Sequence, residues 1–190
     1  MRLAVYGGTF DPIHMAHLII AEFARENFDI DKILFTPSYI PPHKIDVQIS
    51  AADHRLEMIR LAVDGHANFE ICDYEIEKKG TSYTVNTLQY LHEKYNLSRD
   101  DFYFILGADN MKDFHHWKQP EKIDELVQIV VAGRKDFENN NSQYSAASFE
   151  FPLLDISSSL VRQRRKDDKS IKYLVPAPVE SYIYEHELYH

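Results

Sequence analysis

The hydrophobic positions of this chain change period several times, and each change marks a new element. Leu3, Ala4, Val5 and Tyr6 form a short apolar run that stops at Gly7-Gly8. A run apolar at consecutive positions predicts a strand buried on both faces. From Met15 to about Asn27 the apolar residues Leu18, Ile19, Ala21 and Phe23 follow helical spacing. Ile33, Leu34 and Phe35 repeat the strand pattern, and Pro37 closes it. Residues 37–49 contain Pro41-Pro42, show no period and read as a loop. Ser50 and Asp53 have capping-box spacing ahead of a helix that runs to Val63.

The second half continues the alternation. Residues 69–76 read as a strand through Ile71, Tyr74 and Ile76, and Lys78-Lys79-Gly80 as a turn. An amphipathic helix over 84–95 buries Val85, Leu88 and Leu91, and a fourth strand over 102–106 ends at Gly107. A short helix carries Ile123 and Leu126 ahead of the strand Ile129-Val130-Val131. Residues 136–148, with three consecutive asparagines, read as a mobile polar excursion. A capped helix over 157–166 follows, and residues 179–188 close the pattern. Strands alternating with helices predict an α/β, Rossmann-like three-layer fold, its mostly parallel sheet covered on both faces. Right-handed crossovers then gather residues 7–17, 37–44 and 107–117, which all follow strands, at one sheet edge. With no repeat or long linker, residues 1–190 are expected to form one domain, its C-terminal helical part (about 156–190) packed on the rest.

Composition narrows the class. The 190 residues carry 21 Lys and Arg against 30 Asp and Glu, a formal charge of −9. That balance argues against bulk binding to nucleic acid or to an anionic membrane, while leaving room for a small phosphate ligand. Cys72 is the single cysteine, so no internal disulfide or cysteine metal cluster can form, which fits a reducing compartment. No apolar run is long enough to span a bilayer, and a cytoplasmic location is expected. Oligomeric state is not legible, and a homodimer is compatible with the pattern.

Two segments carry chemistry. In residues 7–17 the glycines Gly7 and Gly8, then Thr9 and Phe10, leave a strand and lead to a helix N-terminus, where free amides and the helix dipole favour an anion. His14 sits at that N-terminus and His17 one turn on, so both imidazoles can face one phosphate. The segment is neither a Walker loop nor a dinucleotide fingerprint. In the second segment, Ser157, Ser158 and Ser159 open a helix with Arg162 one turn on. One serine suffices for a cap; three hydroxyls and a guanidinium fork suit phosphate.

Gly-Gly-Thr-Phe-Asp-Pro-x-His-x-x-His near the start and Ile-Ser-Ser-Ser-x-Val-Arg near the end together resemble the nucleotidyltransferase superfamily. Within it the chain resembles the bacterial nicotinate-nucleotide adenylyltransferases along almost its whole length, through Pro41-Pro42-His43-Lys44, residues 80–84, Gly107-Ala108-Asp109, Trp117 and Gly133-Arg134. The resemblance implies adenylyl transfer from ATP to nicotinate mononucleotide, giving deamido-NAD and pyrophosphate, with Mg2+ carried by ATP and no protein metal site. It assigns His14, His17 and Arg162 to catalysis, and Gly7, Gly8, Thr9, Phe10, Gly107, Ser157 and Ser158 to ATP. It assigns Ser82, Tyr83, Thr84 and Trp117 to the mononucleotide. Lys44 and Arg134 can meet its phosphate and Asp109 a ribose hydroxyl, or they serve as a surface lysine, a strand-end ion pair and a helix cap. The amides that open the helix at Tyr83 and Thr84 suit a nicotinate carboxylate, and Trp117 offers a stacking face. Asn86 stands where the family pattern often has Asp. Other readings of the same residues are a different phosphate acceptor such as phosphopantetheine, a histidine metal hydrolase, and a nucleotide-binding regulator.

Overall fold

The structure is a computed structural model that describes residues 1–42, 49–133, 143–152 and 154–190. Its centre is a parallel sheet of β1 (Leu3–Gly8), β2 (Lys32–Pro37), β3 (Phe69–Ile71), β4 (Phe102–Gly107), β5 (Gln128–Ala132) and β6 (Ala146–Phe149). The spatial order is β3-β2-β1-β4-β5-β6, with every neighbouring pair parallel. From β1 the chain builds outward through β2 and β3, then returns to lay β4 on the other side of β1. The crevice beyond the C-terminal ends of β1 and β4 is therefore the switch point of the sheet, where open α/β folds bind ligands.

Alternation along β1 sorts two cores. Ala4 and Tyr6 join one cluster with Ile33, Phe35, Met58, Ile59, Val161, Val179 and Ile183. Leu3 and Val5 join the other with Leu34, Val85, Leu88, Leu91, Phe114 and Ile123. The first face is thus covered by α1 (Met15–Asn27), α2 (Ala52–Val63), α7 (Ser158–Lys166) and α8 (Ala177–Glu185). The second is covered by α4 (Thr84–Tyr95), α5 (Ala108–Lys112) and α6 (Pro120–Leu126). Among the described residues no helix is long and apolar enough to cross a membrane.

Three local expectations change. Residues 69–76 do not form one strand: β3 pairs with β2 only from Phe69 to Ile71, and Tyr74–Lys78 form the short helix α3. Lys79 at φ 57° and Gly80 at φ 81° end α3, because a helix cannot continue through the left-handed region. The capping box at Ser50 and Asp53 is not made; Ala51 stands at the N-cap of α2 without a side-chain cap. The Ser50 main chain is engaged elsewhere, its N–H by Asp11 and its carbonyl by Arg55. Part of the polar excursion is edge strand β6, anchored by buried Tyr144 and Phe149; residues 136–142 lie outside the described residues.

Candidate active site

Residues 9–14 carry the chain from the C-terminal end of β1 into α1. At Gly8 a Cβ would meet the Phe10 ring at 2.9 Å, so that position has no room for a side chain. Gly7 differs: a Cβ there would make an ordinary 3.6 Å contact with Phe104. Phe10 takes the left-handed conformation, at φ 49°, and its buried ring packs edge-on against Tyr6 and His17. The tight turn thus falls on Phe10 rather than on the glycines.

His14 is the N-cap of α1 and is 6% exposed. Its backbone N–H donates to His17 Nδ1 at 3.2 Å, so His17 occupies the position a Glu takes in a capping box. The two rings stack with centroids 3.6 Å apart. Because Nδ1 of His17 accepts that bond, the neutral ring carries its proton on Nε2 and presents an N–H donor there. Burial lowers the His14 pKa to about 4. Burial, and then the proximity of His14, hold His17 well below the usual imidazole range. Both rings are neutral near pH 7, since two stacked cations away from water would repel. Among the described residues, His14 Nδ1 is buried without a hydrogen-bond partner.

Side chains from distant elements grip the carbonyls of this loop. Arg162 donates to the Asp11 carbonyl at 2.7 Å and to Ser159 Oγ at 3.2 Å. Ser158 Oγ donates to the Pro12 carbonyl at 2.9 Å, while Ser157 caps α7 by accepting the Leu160 N–H at 3.1 Å. Arg55, 1% exposed, was not legible as a site residue. It donates to the carbonyls of Thr9 (2.9 Å), Ser38 (2.6 Å), Tyr39 (3.1 Å) and Ser50 (3.0 Å). One guanidinium therefore ties the loop after β1 to the loop after β2. Its signal in the sequence is a charge on the apolar side of α2, three and four residues ahead of Met58 and Ile59.

The second part of the site is a cavity of about 700 Å³ whose lining includes Ser82, Tyr83, Thr84, Asn110, Asp113, Trp117 and Lys118. Tyr83 is the N-cap of α4, and its side chain does not cap that helix. Ser82 braces this wall by donating its N–H to the Ile40 carbonyl and accepting the Tyr39 N–H, at 2.9 and 2.8 Å. Trp117 follows a 3₁₀ turn at Phe114–His116 and packs at an angle on Phe104 and Phe114. Lys118, which drew no attention in the sequence, holds Nζ 4.1 Å from the centre of the Tyr83 ring. Asp109 is not in this wall. Its side chain is 97% exposed and pairs with Lys112 at 2.9 Å, leaving Asn110 and Asp113 to line the cavity. Gly107 ends β4 at the crevice with open space around it. Lys44 and Arg134 lie outside the described residues. Among the described residues no group of three or more His, Cys, Asp or Glu is placed to hold a metal ion.

Residues 5–164 match the cytidylyltransferase-like family model. A protein named "Probable nicotinate-nucleotide adenylyltransferase" from Salinibacter ruber is 39% identical over 197 residues, covering 100% of this chain and 98% of its own. One of the same name from Dictyoglomus thermophilum is 40% identical and covers 100% of both chains. Among solved structures, a nicotinic acid mononucleotide adenylyltransferase from Plasmodium falciparum, complexed with APC, superposes with a TM-score of 0.79 at 22% identity, over 99% of this chain and 96% of that one. At that identity the likeness is one of fold.

Proposed function

We propose that this chain, which belongs to the cytidylyltransferase-like family and within it to the nicotinate-nucleotide adenylyltransferases, transfers the adenylyl group of ATP to nicotinate mononucleotide. The products are deamido-NAD and pyrophosphate, which makes the protein an enzyme of NAD biosynthesis. The observation that carries this reading is the pairing of two unlike receptors at one sheet edge. One is a histidine loop with a buried nitrogen unpartnered among the described residues; the other is a cavity bounded by a helix N-terminus and a tryptophan.

In this reading the phosphates of ATP meet the loop of Gly7, Gly8, Thr9 and Phe10, the imidazoles of His14 and His17, and the start of α7. Neutral His17 donates from Nε2 to the phosphates, and Arg162 keeps its remaining N–H groups for them. Nicotinate mononucleotide enters the cavity. Its carboxylate meets the amides at Tyr83 and Thr84, where α4 offers partial positive charge, and its ring lies against Trp117. Nicotinamide has no charge to satisfy there and binds worse. The 5′-phosphate of the mononucleotide attacks the α-phosphorus of ATP in line, and the bond to pyrophosphate breaks. The attacking oxygen is already ionised, so no general base and no covalent enzyme intermediate is required. Catalysis is then alignment plus charge stabilisation. Mg2+ enters as part of the ATP substrate and offsets charge on the departing pyrophosphate. The enzyme works in the cytoplasm on small molecules, as one domain, without nucleic acid or membrane partners.

The test is pyrophosphate release by the pure protein with Mg-ATP and nicotinate mononucleotide, nicotinamide mononucleotide or phosphopantetheine. Release with the first, matched by deamido-NAD, is the expected result. Preference for another acceptor overturns the cavity assignment, and no release with any of them overturns the reaction.

A further inference from the structure

Tyr189 reaches the histidine loop from a position 178 residues away in the chain, its hydroxyl donating to Asp11 Oδ1 at 2.7 Å. Asp11 is 4% exposed, and its Oδ2 accepts the Ser50 backbone N–H at 3.3 Å. Both donors are neutral. Arg162 and Ser158 hold this stretch by its main-chain carbonyls, whereas Tyr189 and Ser50 hold it by the Asp11 side chain. Asp11 follows Phe10, a bulky residue at φ 49°, and Tyr189 itself sits at φ 66°. Non-glycine residues persist in that region only where the surroundings over-determine them. Here one of these backbones belongs to Tyr189 itself and the other to Phe10, the residue just before Asp11.

We propose that Tyr189 is a positioning residue for the transfer reaction: its hydroxyl, acting through the Asp11 carboxylate, sets the backbone that presents His14 and His17. The proposal rests on the adenylyl-transfer reading. Without the hydroxyl, Oδ1 of a buried carboxylate loses its donor, and a carboxylate so placed turns toward the nearest cations. Among the described residues, Arg55 and Arg162 reach this loop, and both are already engaged with its carbonyls, at Thr9 and Asp11. Such a turn loosens the contacts that hold the histidines. Burial and the neighbouring Asp11 carboxylate push the Tyr189 phenol far above its ordinary pKa, so it remains a donor throughout the working pH range.

Tyr189→Phe keeps the ring and removes the hydroxyl. The expected result is a fall of about tenfold in kcat with less than twofold change in KM for ATP. Asp11→Asn is expected to give a similar loss, and the double variant a loss no larger than either single one, since both act through one hydrogen bond. The imidazole 15N shifts of His14 and His17 provide a readout that needs no turnover, and they move in Tyr189→Phe. A Tyr189→Phe protein with wild-type kcat and wild-type shifts, losing only melting temperature, overturns the proposal, as do additive losses in the double variant. A wild-type protein that releases no pyrophosphate overturns the function reading instead, and the histidine shifts then decide the role of Tyr189 alone.

Discussion

Between Thr9 and Pro12 the main chain gives three carbonyls to side chains from α2 and α7, and the Asp11 carboxylate is held from beyond α8. Across the crevice, the cavity wall at 82–84 and 110–118 is braced mainly through Ser82, while Asp113, His116 and Lys118 remain exposed. The first region holds its groups in place before any ligand arrives, at the cost of two buried, uncharged imidazoles. The second offers shape, the aromatic faces of Tyr83 and Trp117, and the N-terminus of α4. Preorganised donors are used where charge develops in the transition state, whereas a receptive wall contributes ground-state binding. Changes in the loop should therefore fall on turnover and folding, and changes in the cavity on KM.

The sharpest break comes at Arg55. Arg55→Met removes a guanidinium that four part-buried carbonyls share, an expected loss of about 4 kcal/mol. Thermal denaturation should show it as a fall of roughly 8–16 °C for a chain of this size; an unchanged midpoint would mean the loops do not depend on this guanidinium. His17→Ala should lower kcat by ~10²–10³ while KM for ATP changes little, by analogy with losing one preorganised donor. Equal losses in both would make His17 a ground-state ligand.

Acid probes the same loop without mutation. Unfolded His14 protonates near its usual 6.5, the folded one only near 4. Between those values the unfolded state binds more protons, so stability falls as pH drops through the window, by about 3 kcal/mol in total at its lower end. His17 acts in the same direction. Urea midpoints from pH 7 to pH 4 measure the slope, and His14→Asn should flatten it. Gly8→Ala should destabilise by about 1–3 kcal/mol through the Phe10 clash, against a few tenths for Gly7→Ala; equal effects would count against the steric reading. The smallest effect belongs to the cavity. Trp117→Ala should raise KM for nicotinate mononucleotide by roughly 3–10-fold with kcat nearly unchanged, the range of a lost aromatic contact. A kcat effect there would dissolve the contrast between the two regions.

Much of this arrangement was readable before the fold. Met15 to Asn27 showed helical spacing and forms α1 over those residues, and Ser157 is the side-chain cap it looked like. β1, β2, β4 and β5 announced themselves as consecutive apolar runs, because a strand covered on both faces has no polar side. The misses have physical causes. β3 is three residues long, too short for a period, and the apolar Tyr74 and Ile76 beyond it belong to a helix. β6 is an edge strand with few buried residues, so it resembled the polar segment before it. Asp109 stands on α5 with its side chain open to solvent and paired with Lys112, a placement that the short motif Gly107-Ala108-Asp109 does not reveal.

Local chemistry alone marked the two halves of one candidate anion site: the loop with its histidine pair, and the serine-capped helix with Arg162. Their residues are close in sequence and need only a helix turn to share a face. Tertiary structure decided what holds them. Arg55 lies 46 residues from the carbonyl of Thr9, and Tyr189 lies 178 from Asp11. A hydrogen bond across such a span leaves no period or spacing in the sequence. It exists only because the parallel sheet brings the ends of β1 and β2 to one edge and packs α2, α7 and α8 on the same face.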